Sequence, residues 1–199
     1  MYLFGILYTL PYFIFNNIKY EYTNRILSTI NSLYISIATI CFQNKLIEYS
    51  VLNYAVKTST IWFASDIMYM YLTNYNTTLY YIHHIITISA ILSGVTDYIN
   101  PEYISIMFLT EITSVFINMS WYLNITNTIE KYKKTTMCTI ILIVISWVYY
   151  RIYSIIKLII LMTLINSNDS IYIPIPITYL SLNIYWFYKI INMIYKKIK

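Results

Sequence analysis

Charged residues are scarce in this chain. Only 11% of its 199 residues are Asp, Glu, Lys or Arg, whereas a soluble globular domain carries about 25%. Hydrophobic residues make up 59%, and the mean hydropathy is +0.59. This composition argues against a cytosolic enzyme, a disordered segment and a nucleic-acid-binding module. It favours a polytopic membrane protein that has almost no soluble domain.

Cysteine, glycine and arginine are also rare. Cys41 and Cys138 lie in apolar runs without a paired spacing, so neither a disulfide nor a metal site is predicted. The chain has 25 Tyr, 2 Gly and only two arginines beside eleven lysines, a bias typical of an AT-rich coding sequence. Most tyrosines are therefore expected to reflect codon usage and membrane-interface placement. Each arginine is informative, because this coding bias would supply a simple positive charge as lysine.

Apolar runs of the length that crosses a bilayer dominate the chain. A membrane-spanning helix needs roughly 20 mostly apolar residues. The runs cover approximately 1–15, 26–42, 51–73, 79–96, 103–123, 135–165 and 173–195. The first run has no basic n-region and no small-residue cleavage site, so it is expected to be a retained helix. The predicted fold class is all-α, a polytopic membrane protein with about seven transmembrane helices forming one integral-membrane unit.

The basic residues predict the orientation. With seven spans, one side of the membrane receives only Lys45. The other side receives Lys19, Arg25, Lys131, Lys133, Lys134, Lys189, Lys196, Lys197 and Lys199. The positive-inside rule then places the C-terminus in the cytosol and the N-terminus in the lumen. This distribution explains the net charge of +5 without a nucleic-acid partner.

The last four residues suggest a location. Lys196-Lys197-Ile198-Lys199 looks like the dilysine retrieval signal of endoplasmic-reticulum membrane proteins. An ordinary positive-inside cluster explains the same residues equally well. The endoplasmic reticulum is the predicted compartment.

Several ionisable side chains fall inside the predicted spans. They are Lys57, Asp66, His83, His84, Glu111, Arg151 and Lys157. A charge at the centre of a bilayer costs about 2.5–3.5 kcal/mol on insertion scales, so such residues face the bundle interior and are functional candidates. Lys57 and Lys157 have long stems that allow their ammonium groups to reach the interface.

Other polar and aromatic residues recur with these groups at helical spacing. The stripes are Trp62, Asp66, Tyr69 and Thr73 in the third run; Tyr80, His83 or His84, and Thr87 in the fourth; Glu111, Ser114, Asn118, Trp121 and Tyr122 in the fifth; and Trp147, Tyr150, Arg151 and Ser154 in the sixth. Four helices that each present a polar stripe can line one cavity. Glu111 and Arg151 are expected to pair there, since pairing lowers the cost of inserting both.

Four of these elements resemble a known family. The segment 81–87, YIHHIIT, resembles the paired-histidine segment of the TLC-domain family, named for TRAM, Lag and CLN proteins. The segment 111–123, EITSVFINMSWYL, is similar to the family pattern of Glu, small residues, Phe, Asn, then Trp and an aromatic residue. Val115 stands where many members have Pro, and Ser120 where many have Arg.

The resemblance continues towards the C-terminus. The segment 148–151, VYYR, resembles the aromatic-Arg element of the family, and Asn183, Trp186 and Lys189 fit its final helix. Asp66 suits the acidic position before the histidines. The resemblance covers about 45–199, which divides the chain into N-terminal transmembrane helices over 1–44 and a TLC-like domain over 45–199.

The resemblance implies a barrel of six helices around a lipid-sized cavity. In the enzymatic branch, the ceramide synthases, an acyl group passes from acyl-CoA to a sphingoid amine. By this resemblance His83 or His84 is the general base or a transient acyl acceptor, and Asp66 orients a histidine. The implied cavity residues are Thr87, Glu111, Ser114, Asn118, Trp121, Tyr150, Arg151 and Trp186. No metal and no bound cofactor are expected.

Two functions remain open at this point. The first is a lipid N-acyltransferase, with acyl-CoA and a long-chain base as partners. The second is a non-catalytic protein that binds membrane lipids or regulates membrane composition with the same cavity. Ceramide synthases carry a His-Asp and a further Asp on the fifth span, where this chain has only Glu111, so it looks closer to the non-synthase members. A histidine pair that only packs is the remaining alternative.

Other membrane-protein classes fit the sequence less well. A seven-helix receptor is disfavoured because the loops are very short. A di-iron lipid hydroxylase is excluded because it needs several clusters of histidines, and the chain has 2.

Overall fold

A computed structural model describes residues 20–72, 78–95, 100–126, 133–164 and 172–198, and within these ranges the chain is helical without β-strands. The elements are α1 (Tyr20–Gln43), α2 (Tyr49–Leu72), α3 (Thr78–Val95), α4 (Pro101–Leu109), α5 (Ile112–Ile125), α6 (Lys133–Ser146), a π-helical segment (Trp147–Tyr153), α7 (Ser154–Leu164) and α8 (Pro174–Ile198). The predicted all-α class is confirmed.

The helices of the described ranges combine into six span-length units. Helices α4 and α5 follow each other directly, as do α6, the π-helical segment and α7. Among the described residues, three stretches are long and apolar enough to cross a membrane: Tyr22–Gln43, Pro101–Ile125 and Lys134–Leu164. The predicted first helix, 1–15, lies outside the described residues, so the count of seven stays a prediction.

The six units close into a ring. Helix α1 packs against α2 and α5, α2 against α3, and α3 against α8. Helix α8 packs against the π-helical segment and α7, and α6 returns to α5. Each unit therefore has a neighbour on both sides and turns one face towards a common centre.

Apolar side chains pack between helices of the ring and also cover its outer surface. Ile35, Phe63 and Phe108 belong to a buried cluster where α1, α2 and α4 meet. On the outer face of α1, Ile26 and Ile37 are each 58% exposed. Large exposed apolar side chains are costly in water but match the acyl chains of a bilayer, so this outer surface suits a membrane.

Local sequence signals explain two helix ends. Helix α1 ends in a Schellman motif, in which the Leu46 N–H donates to the Cys41 carbonyl at 2.8 Å and the Lys45 N–H to the Phe42 carbonyl at 2.9 Å. Lys45 takes the left-handed conformation (φ 57°) where glycine is usual. Helix α4 begins after Asn100, whose side chain accepts from the Glu102 N–H at 2.9 Å.

Two predicted helices are interrupted at ionisable residues. The run 103–123 predicts one continuous helix, but the helix tightens at its middle, where the Glu111 N–H donates to the Phe108 carbonyl three residues back at 3.0 Å. The run 135–165 contains the π-helical segment around Arg151. Such irregular turns are frequent at functional sites. No proline or glycine marks either position, so the sequence pattern did not reveal them.

Candidate functional site

A polar cavity of about 220 Å³ lies inside the ring of helices. Both histidines and both arginines of the chain line it, together with three of its four tryptophans. Of the residues selected from the sequence, the cavity wall contains Asp66, His83, His84, Glu111, Ser114, Asn118, Arg151 and Trp186. The polar stripes of the individual helices thus meet in one place.

Three selected residues lie elsewhere. Thr87 is buried and lines a second, smaller cavity. Trp121 packs against Tyr22, with ring centroids 5.1 Å apart. Tyr150 is half-buried and contacts the ring of Tyr149 at 4.9 Å between centroids.

His84 forms the shortest contact between ionisable groups described in the cavity. Its Nε2 lies 2.7 Å from Asp66 Oδ2, and the two residues are only 5% and 3% exposed. Asp66 follows Trp62 by four residues, so both project from the same face of α2. The rings of Trp62 and Phe63 pack against the imidazole at 5.7 and 5.1 Å between centroids. Packing and the carboxylate together hold the histidine in one orientation.

The contact with Asp66 also favours one tautomer of His84. A proton on Nε2 can be donated to the carboxylate, which leaves the lone pair on Nδ1. Nδ1 has no hydrogen-bond partner among the described protein atoms. An imidazole oriented by a carboxylate is the usual arrangement of a general base or a nucleophile's partner.

His83 is held mainly by aromatic rings. Tyr179 stacks on the imidazole at 5.6 Å between centroids, and Trp186 meets it edge-on at 5.3 Å. Its Nε2 lies 3.8 Å from Glu111 Oε1, which is too long for a hydrogen bond. His83 therefore faces the carboxylate of Glu111 without the tight contact that His84 makes with Asp66.

Glu111 and Arg151 interact through a hydroxyl group. Ser114 Oγ donates to Glu111 Oε2 at 3.2 Å and accepts from Arg151 Nη2 at 3.0 Å. The expected direct ion pair is not formed, because the helix turn at Glu111 places Ser114 between the two charges. Ser32 from α1 also donates to Glu111 Oε2, at 3.5 Å.

Arg151 joins three parts of the ring. From the π-helical segment its Nε donates to Thr113 Oγ1 on α5, and its Nη1 donates to Asn183 Oδ1 on α8 at 3.0 Å. The guanidinium lies over the Trp147 ring, 4.6 Å from the centroid. Arg151 is only 3% exposed. This buried cation is held by the hydrogen bonds that it donates to neutral side chains and by one aromatic face.

Arg25 is a cavity residue, although the apolar runs of the sequence predict it to be a loop charge. Helix α1 begins at Tyr20 rather than near residue 26, so Arg25 lies in the wall of the ring. Its Nη1 donates to Asn118 Oδ1 at 3.0 Å, and its guanidinium lies 5.5 Å from the centre of the Trp121 ring. The scarcity of arginine was the one sequence signal that could have identified it.

The second cavity is apolar and has a volume of about 30 Å³. Met107, Phe108, Leu158 and Met162 form much of its wall. Glu111 lines both cavities, so the carboxylate stands between a polar space and an apolar one.

No metal centre is formed by the described residues. Among them, no three His, Cys, Asp or Glu side chains are arranged to hold a metal ion.

The sequence profile of the TLC domain matches residues 14–192. No curated protein matches the chain. The match includes α1, which contributes Arg25 and Ser32 to the site, and the division of the chain at residue 45 stays a prediction. Apolar helices and a TLC domain together indicate an integral membrane protein with a role connected to membrane lipids. Because the match covers most of its length, the chain belongs to the TLC-domain family.

Proposed function

We propose that this protein is an acyl-CoA-dependent N-acyltransferase acting on a long-chain lipid amine. The observation that carries the proposal is the buried contact of 2.7 Å between His84 Nε2 and Asp66 Oδ2 in the wall of a polar cavity. A carboxylate that orients a buried imidazole supports proton transfer. The family supports a lipid substrate.

The reaction places a defined demand on His84. The amine nitrogen attacks the thioester carbonyl, a C–N bond forms, and the nitrogen loses a proton to the imidazole. The C–S bond then breaks, and the CoA thiolate takes the proton from the imidazolium. The products are an amide and free CoA. Asp66 stabilises the imidazolium between these steps, as the carboxylate does in a Ser-His-Asp triad.

Other cavity residues contribute electrostatics. The carbonyl oxygen gains negative charge when the amine attacks, and a preorganised cation in a dry site stabilises such charge. Arg151 is buried and held by Thr113 and Asn183, so it supplies a positive charge without reorganisation. His83, between Tyr179 and Trp186, is the alternative acyl acceptor if the reaction passes through a covalent intermediate.

A non-catalytic lipid-binding protein is the second candidate. It is favoured by the fifth span, where Glu111 is present but the further acidic residue of the ceramide synthases is not. In this case the same cavity holds a lipid, and the charged groups recognise its headgroup. This candidate fits a position among the non-synthase members of the family.

An acyl-transfer assay separates the two candidates. The protein is purified in dodecyl maltoside and incubated with palmitoyl-CoA and sphinganine, and the N-acyl product is quantified by mass spectrometry. We expect amide formation that depends on both substrates and exceeds the heat-inactivated control. A monodisperse, thermally stable preparation that forms no amide but retains co-purified lipid would overturn the enzyme and leave the lipid-binding protein.

The proposal includes a location in the endoplasmic reticulum with a cytosolic C-terminus. An epitope tag placed upstream of Lys196 is expected to be accessible to antibody once the plasma membrane alone is permeabilised. Replacing Lys196 and Lys197 with serine is expected to move the protein to later compartments. A tag that stays protected until internal membranes are opened contradicts the orientation, and unchanged localisation of the serine variant contradicts the retrieval signal.

A further inference from the structure

The proposed chemistry uses only one of the two arginines that line the cavity. Arg151 is buried beside Glu111, whereas Arg25 is half-buried on α1. A chain that uses arginine so sparingly gains little from it as a surface charge, because lysine supplies that charge equally well. A planar guanidinium in a cavity wall points to a ligand with matching geometry.

Arg25 is preorganised by its neighbours. Its guanidinium donates to Asn118 Oδ1 at 3.0 Å and lies over Trp121. Asn118 is itself fixed, because its Nδ2 donates to Thr29 Oγ1 at 3.0 Å and to the Arg25 carbonyl at 3.3 Å. The arginine therefore loses little side-chain freedom when it binds a ligand.

Lys189 provides a second cation from another part of the ring. It lies on α8, and its Nζ is 5.5 Å from the centre of the Tyr185 ring. Lys189 is exposed, and Tyr80, another residue of the cavity wall, is 38% exposed. In contrast, His84 and Glu111 are 5% and 4% exposed. Arg25 and Lys189 are thus the charged residues of the wall that reach the surface, and we name the part of the wall that carries them the cavity mouth.

The charges at the mouth select the sign of the ligand. The two cavity carboxylates are more buried, since Asp66 is 3% and Glu111 4% exposed, and they contact His84 and Ser114. A lipid amine would be repelled at the mouth and attracted only further inside. An anion would meet Arg25 and Lys189 first, and a guanidinium matches phosphate oxygens with two parallel hydrogen bonds.

We propose that Arg25 and Lys189 form a phosphate-binding site at the cavity mouth. Two sources supply this chemistry: the phosphates of an acyl-CoA, whose thioester then reaches inward towards His84, and the phosphate of a lipid headgroup. The first source rests on the proposed function, and the phosphate site itself does not. With acyl-CoA as ligand, the highly charged nucleotide stays at the surface while the apolar chain enters the protein.

Binding measurements in dodecyl maltoside, which contains no phosphate, test this site. The probes are palmitoyl-CoA, phosphatidic acid and palmitoyl-N-acetylcysteamine, a thioester without phosphate. We expect Arg25→Gln and Lys189→Gln each to weaken binding of the preferred phosphate ligand about tenfold or more. Neither variant should change binding of the N-acetylcysteamine thioester. Lys134→Gln, which removes an exposed cation outside the cavity wall, is the matched control and should bind like the unaltered protein.

The outcomes keep the phosphate site and the enzyme apart. Palmitoyl-CoA binding that falls in both variants supports the coenzyme as source, and a fall confined to phosphatidic acid supports the lipid headgroup. If the variants lose phosphate binding and the unaltered protein forms no amide, the phosphate site is retained and the proposed enzyme activity is overturned. If both variants form amide with an unchanged KM for palmitoyl-CoA and bind phosphatidic acid as before, the phosphate site is overturned and the enzyme activity is retained.

The two variants also guard against a folding defect. Arg25 contacts Asn118, so its replacement has a structural cost, whereas exposed Lys189 contacts only the face of Tyr185 in the described hydrogen-bond, ion-pair and ring contacts. An equal loss of affinity for all three probes in Lys189→Gln, with unaltered thermal stability, would contradict phosphate recognition.

Discussion

His84→Ala is expected to lower the rate of amide formation by about 10²-fold to 10⁴-fold. A positioned general base contributes an acceleration of this size, and in the described residues His84 is the histidine with a direct hydrogen bond to a carboxylate. Substrate affinity should change little, because alanine leaves the rest of the cavity wall in place. Steady-state kinetics with palmitoyl-CoA and sphinganine give kcat and KM separately, and the loss is expected in kcat.

Asp66→Asn is the matched variant for the same interaction. Asparagine has the shape of aspartate but cannot stabilise an imidazolium, and its amide can donate to Nε2 and favour the wrong tautomer. We expect a loss in kcat of about 10²-fold or more, with an unchanged midpoint of thermal unfolding. His83→Ala separates the two histidines: if it removes activity while His84→Ala does not, the assignment of the base is reversed. Full activity in the double variant His83→Ala/His84→Ala would remove both histidines from the mechanism.

Arg151→Met is expected to destabilise the protein by about 2–5 kcal/mol. The substitution leaves the Thr113 hydroxyl and the Asn183 carboxamide oxygen without their donor, and an unpaired buried polar group costs about 1–3 kcal/mol. It also leaves buried Glu111 without the cation beyond Ser114. The removal of a buried guanidinium recovers some desolvation energy, but three lost hydrogen bonds outweigh it because their partners lie on other helices.

Thermal unfolding in detergent measures this effect. For a chain of this size, a midpoint changes by about 2–4 °C for each kcal/mol, so a decrease of roughly 4–20 °C is expected. The midpoint of Arg151→Lys should lie between those of the unaltered protein and Arg151→Met, since an ammonium group cannot reproduce the planar set of donors. Lys157→Met, which replaces an exposed cation on the following helix, should change the midpoint by less than a few degrees. Equal midpoints for Arg151→Met and Lys157→Met would show that the buried network does not stabilise the fold.

Helical spacing placed several of the cavity-lining side chains on common faces of their helices. Asp66 follows Trp62 by one turn, and Ser114 and Asn118 follow Glu111 at intervals of three and four residues. All of these residues line the cavity. A charge that faces lipid is costly, and Asp66, Glu111 and Arg151 are buried, whereas the long side chain of Lys157 is exposed.

The rarity of histidine, arginine and tryptophan in the sequence also indicated which residues lie at the cavity. Both histidines and both arginines reach the cavity, and the tryptophan that does not line it lies over Arg25. The sequence nevertheless assigned Arg25 to a loop, because polar residues at a helix end blur the start of an apolar run. Only the register of α1 against α5, set by Asn118, places this arginine in the wall.

The sequence by itself determined the class of the protein: its low charge requires a membrane, its apolar runs require helices, and its ionisable exceptions require a polar interior. Only the tertiary structure determined which side chains those ionisable residues contact. His84 contacts Asp66 directly, whereas Ser114 separates Glu111 from Arg151. Periodicity specifies the face on which a side chain lies, but contacts across a cavity depend on how far each helix is shifted along its axis. The tight turn at Glu111 and the π-helical segment at Arg151 change that shift, and no proline or glycine in the sequence marks either one.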